Sequence, residues 1–61
     1  MSKLLFMSDL KKGDLLEFSS YGKKTVWVII EFDSDGFGFW ALNETKRYFS
    51  AWDLVNLVKI R

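Results

Sequence analysis

The chain has 61 residues, nine Lys and Arg against eight Asp and Glu, a formal net charge of +1, and neither His nor Cys. That length holds one domain (1–61) around one core, and so short a chain buries only about 60% of the surface its unfolded form exposes. Disulfides, Cys/His zinc sites and the usual nucleophile–base pairs are excluded, so the fold rests on its six Phe, three Trp and two Tyr.

Residues 1–7 (MSKLLFM) read as an N-terminal arm or edge strand. Their apolar run is too short for a signal peptide, and far short of the roughly 20 apolar residues of a membrane span, which points to the cytoplasm. Residues 8–14 (SDLKKGD) read as a turn leading into a strand, with Gly13 at a permissive backbone position. Residues 15–18 (LLEF) are the first strand, with Leu16 and Phe18 inward. Residues 19–24 (SSYGKK) are a polar loop with one aromatic.

Residues 25–32 (TVWVIIEF) are β-branched and aromatic, without Gly or Pro, and predict a strand. Alternation puts Val26, Val28, Ile30 and Phe32 on one face and Trp27, Ile29 and Glu31 on the other. Asp35-Gly36 predicts a type I′ hairpin turn into a returning strand over 37–42 (FGFWAL). In that strand Phe37, Phe39 and Ala41 share one face, and Gly38, Trp40 and Leu42 the other. Val26, Val28, Ile30 and Phe32 are assigned to the core, with Phe37 and Phe39 or their neighbours opposite. A one-residue slip exchanges the two faces. The second face then holds Trp27, Ile29, Trp40 and Leu42, where a solvent-facing side should be polar. Either another part of the chain covers it or a partner does.

Residues 43–46 (NETK) form the next turn and 47–50 (RYFS) a short strand. Residues 51–54 (AWDL) predict one helical or 3₁₀ turn with Ser50 placed to cap it. Residues 55–60 (VNLVKI) are the last strand, with Val58 and Ile60 on one face. The expected fold is all-β.

This layout resembles the SH3-like barrel. The residues that carry the resemblance are Leu10-Lys11-Lys12-Gly13-Asp14-Leu15-Leu16 at the front, and Trp52-Asp53-Leu54 followed by Val58-Lys59-Ile60 at the back. Over residues 8–60 the pattern is similar to small SH3-like barrel proteins encoded by tailed phages, and to KOW-type modules. The resemblance implies a small five-stranded barrel with one helical or 3₁₀ turn before the last strand. It also implies a habit of binding rather than an activity and, for a phage product, modulation of a host factor. The first loop lacks the acidic cluster and paired Tyr of peptide-binding SH3 domains, so Pro-rich peptide is not the implied ligand.

The carboxylate pairs Glu31/Asp33 and Asp14/Glu17 read as solvated groups rather than an acid–base pair. Glu31 to Gly36 has the outline of a calcium loop, but its twelfth position falls on Leu42. The expectation is therefore a non-enzymatic binding module with no cofactor and no metal. Its contact surface is expected on Trp27, Ile29 and Trp40, with Tyr48 and Trp52 as secondary residues, for a protein partner or self-association. The alternative is a single-stranded nucleic-acid binder with stacking platforms such as Tyr21 and phosphate contacts from Lys23, Lys24, Lys46 and Arg47. The near balance of charge argues against that alternative.

Overall fold

The computed structural model describes residues 5–60. Five antiparallel strands, β1 (Leu15–Ser20), β2 (Lys23–Phe32), β3 (Gly38–Leu42), β4 (Lys46–Ser50) and β5 (Leu57–Lys59), form one sheet in the order β4-β3-β2-β1-β5. A 3₁₀ turn at Met7–Asp9 precedes β1, and a second at Ala51–Asn56 connects β4 to β5. The all-β class, the five strands and the turn before the last strand agree with the sequence reading.

The sheet is rolled. In a flat sheet with strands about 4.8 Å apart, β4 and β1 would lie roughly 14 Å from each other. Instead the rings of Phe18 on β1 and Phe49 on β4 meet edge to face with centroids 5.2 Å apart. β4 and β5 remain the two edges of the ladder, and the second 3₁₀ turn touches β4, β1 and β5.

The concave side is the core: Leu10, Leu16, Phe18, Trp27, Ile29, Phe39, Ala41, Phe49 and Leu57 are all buried. Phe49 sits at its centre, edge-on to Trp27 at 5.3 Å and stacked with Phe39 at 5.6 Å. Leu5, Met7, Phe32 and Leu54 pack around this cluster. Residues 1–4 of the expected N-terminal arm lie outside the described residues.

The assignment of faces on β2 is reversed relative to the sequence reading. Trp27 is 8% and Ile29 1% exposed, whereas Val26 is 47% exposed and Val28 and Ile30 are half-buried. The register explains this: Leu16 and Phe18 stand opposite Trp27 and Thr25, so the inward side of β1 dictates the inward side of β2. Strict alternation would then bury Glu31 and expel Phe32. A β-bulge between Ile29 and Glu31 prevents both, because one extra residue restarts the alternation. Past the bulge Glu31 pairs with Trp40 on the outer side and Phe32 with Phe39 on the inner side. Phe32 therefore does face the core, as expected, but together with Trp27 and Ile29.

The turns also differ from expectation. A type I′ turn needs positive φ at both central residues. Gly36 has φ 78° but Asp35 is not in that region. Residues 33–37 instead form a longer loop, in which the Asp33 N–H donates to the Gly38 carbonyl and the Phe37 N–H to Asp35 Oδ1. The two-residue turn of this signature is Tyr21-Gly22, with φ 50° and 78°, between the paired residues Ser20 and Lys23. The polar loop expected over 19–24 is thus mostly strand.

Candidate binding surfaces

The convex side of the sheet carries the alternating residues that the core does not use. Paired positions trace a row from Lys46 through Leu42 and Val28 to Leu15. Beside it run Val26, Glu17 and Val58, and on the other flank Tyr48, Trp40 and Glu31. Leu42, Val58 and Ile60 are exposed like Val26, and Leu15, Val28 and Trp40 are half-buried. The result is an apolar band across all five strands, where an ordinary solvent-facing sheet side would be polar. Glu17, Glu31, Lys24 and Lys46 belong to the same side, with the Asp33 carboxylate beside them at Tyr48.

One end of the band is built tightly. The Trp40 and Tyr48 rings meet edge to face at 5.3 Å, and Lys46 Nζ lies 5.0 Å from the Trp40 ring centre. The Tyr48 hydroxyl donates a short hydrogen bond to Asp33 Oδ2. That bond, then partial burial and the charges of Asp33 and Asp35, pushes the Tyr48 phenol up to about 12.

A second surface lies at the open end of the concave side. Phe18, Ser20, Tyr21, Lys23, Thr25, Trp27 and Arg47 line a recess of about 370 Å³. The Arg47 guanidinium is 4.8 Å from the Phe18 ring centre and 4.9 Å from that of Phe49, lying against the aromatic core from the edge strand. Trp27 Nε1 donates to Thr25 Oγ1 at 2.8 Å, which satisfies the indole and leaves the Thr25 hydroxyl proton free to donate. No carboxylate lines this recess. Among the described residues the ion pair is elsewhere, between Lys59 Nζ and Asp14 Oδ2 at 3.4 Å.

The structure separates the residues that the sequence reading grouped as one contact surface. Trp27 and Ile29 are core, so the expectation that they line an exposed contact face is corrected. They pack in the cluster around Phe49, and Trp27 also reaches the recess. Trp40 and Tyr48 do share the outer side. Trp52 stands apart on the second 3₁₀ turn, 87% exposed. Of the basic set, Tyr21, Lys23 and Arg47 come together at the recess, whereas Lys24 and Lys46 belong to the opposite side of the sheet. Val26 and Val28 were missed as surface residues, because the reversed face of β2 hid them, whereas Leu42 stands on the second face with Trp40 as expected and Val58 had been given no contact role. Placing the two-residue turn at Tyr21-Gly22, which sets Leu16 opposite Trp27 and Phe18 opposite Thr25, would have found Val26 and Val28.

Among the described residues no three Asp or Glu side chains gather where they could hold a metal ion, and no helix is long and apolar enough to cross a membrane. Comparison with protein-family models, with curated proteins and with solved structures returns no match for this chain.

Proposed function

We propose that the protein is a non-enzymatic cytoplasmic binding module whose convex sheet face docks a second copy of the same chain. The observation that carries this reading is the apolar band on the side of the sheet that no described segment covers. A two-fold contact joins a patch to itself, so its charges must be self-complementary. Acids and bases both stand on this side, so a two-fold contact can bring opposite charges together. A specific interface needs at least about 500 Å² from each copy, roughly a tenth of the 4739 Å² that the chain exposes. Association would add apolar burial that so small a chain lacks.

Light scattering over a wide concentration range tests the reading. The expected result is a mass that rises to that of a dimer, and a monomer at the same concentrations for Leu42→Glu with the circular dichroism of the parent. A parent chain that stays monomeric throughout sinks the self-association. A different protein captured on Val26, Leu42 and Val58 would replace the second copy with another occupant.

A further inference from the structure

We infer that the recess between Arg47 and Tyr21 binds a nucleotide unit, holding its base against aromatic side chains and its phosphate on Arg47 and Lys23. This inference is independent of the dimer, because the recess opens from the concave side of the sheet and the apolar band lies on the convex side.

Three observations converge on it. The first is the unpaired cation. Arg47 has no carboxylate partner among the described residues, and its guanidinium lies against the Phe18 and Phe49 rings. A planar fork placed this way offers donors to an oxyanion without first breaking an ion pair. The second is the lining: Lys23 is the other charged group, Ser20 and Thr25 add hydroxyls, and acids are missing from the wall. The near-neutral total charge therefore conceals a locally positive site. The third is Tyr21. It is wholly exposed at the tip of the β1–β2 turn, with a positive φ that side chains other than Gly rarely adopt. Nothing in the core holds its ring there. It stands at the mouth of the recess, where a base can stack on it and against Trp27. The recess, about 370 Å³ and open to solvent, has room for one nucleotide unit.

The same chemistry can arrive as a free nucleotide or as one unit of a single strand, and the two are separable. A fluorescent oligothymidylate of about eight nucleotides, within the range of strand-tracking sites, is titrated with the full chain at low salt and read by anisotropy. Thymidine monophosphate is the competitor. The expected result is saturable binding that weakens as salt rises. For Arg47→Gln the affinity falls about tenfold, and the slope of log K against log salt shrinks by about 0.7, the share of one phosphate contact on a single strand. Lys23→Gln, at an exposed rim position, should lose a similar share of the slope and carries the test if Arg47→Gln does not fold. Lys12→Gln removes the same charge from a turn outside the recess and should leave the affinity nearly unchanged. Competition by the monophosphate as strong as by the oligonucleotide identifies a free nucleotide as the ligand, and much weaker competition identifies a strand. Either supports the site. The inference is overturned if no anisotropy change occurs, if all three variants lose affinity alike, or if a tyrosine-phosphorylated peptide binds where the nucleotides do not.

Discussion

The Tyr48 side chain occupies the space that Gly38 leaves empty. The two residues belong to neighbouring strands, and a Cβ built at position 38 would fall on the Tyr48 hydroxyl and 2.8 Å from the Phe49 carbonyl oxygen. Gly38 is needed for room rather than for an unusual φ, since its backbone is not in the positive region. The bare backbone lets the phenol cross the end of β3 and reach Asp33.

Gly38→Ala should therefore destabilise the fold by about 1–3 kcal/mol, the usual cost of forcing extra carbon into packed space. For a chain of this size each kcal/mol corresponds to about 4–8 °C in Tm. Because the Phe49 carbonyl also crowds the new methyl, pairing Gly38→Ala with Tyr48→Ala should restore only part of the loss. Thermal melts of the two single variants and the double variant check this. Full restoration would mean that Tyr48 alone sets the requirement for glycine.

The raised Tyr48 phenol predicts a dependence on alkaline pH. An unperturbed tyrosine titrates at about 10, and in the folded chain this one is pushed up to about 12. The folded state thus favours the protonated phenol. Its contribution to stability is complete below pH 10 and disappears as pH rises through 12. Tyrosinate absorbance should show a step near pH 12 that Tyr48→Phe abolishes. The same variant should flatten the part of the stability curve between those two pH values.

The reversed face of β2 gives opposite expectations for neighbouring residues. Trp27→Ala opens a cavity in the core beside Phe49, at a typical cost of about 3–5 kcal/mol. A chain of this length has a total stability of only about 3–9 kcal/mol, so the variant should be largely unfolded at room temperature. Val26→Thr, one residue away on the convex side, should change stability by less than about 1 kcal/mol. Urea titrations of both variants decide it, and the opposite order would return Val26 to the core.

Tyr21 sits in left-handed backbone, which costs a non-glycine residue roughly 1–2 kcal/mol. Tyr21→Asn suits a type I′ turn before Gly22 and should raise Tm. If the recess holds a nucleotide, the same substitution should weaken binding even though the fold is more stable. A variant that gains stability and loses ligand separates the two roles of the position. A lowered Tm would mean that the Tyr21 ring contributes packing that its exposure does not suggest.

Much of this architecture is legible in local sequence. The TVWVIIEF and FGFWAL runs are strands because their composition admits little else, and LLEF declares its inward residues through Leu16 and Phe18. The 3₁₀ turn before β5 follows Ser50 as expected, but its cap is made by the Asp53 carboxylate, which accepts from the Ser50 N–H at 3.0 Å, and not by the Ser50 hydroxyl. The β1–β2 turn was harder to place, because Tyr is an uncommon residue at positive φ and Asp35-Gly36 carried the stronger signal.

The candidate surfaces were only partly readable. Trp40 and Tyr48 remain together on the convex side, but Trp27 and Ile29 went inside, and the band exposed in their place is mostly aliphatic. Arg47 and Tyr21 are separated in sequence, and only the rolling of the sheet brings β4 across to β1 so that they share a recess.

The sequence by itself determined the class of the fold, the strands and the lack of His- or Cys-based chemistry, since these depend on residue types and short-range spacing. Which side of β2 is buried, where its alternation breaks, and which cation meets which ring were decided by the tertiary structure. Alternation looks the same after a shift of one residue. Only the pairing of Leu16 with Trp27 and the bulge that keeps Glu31 outside remove that symmetry.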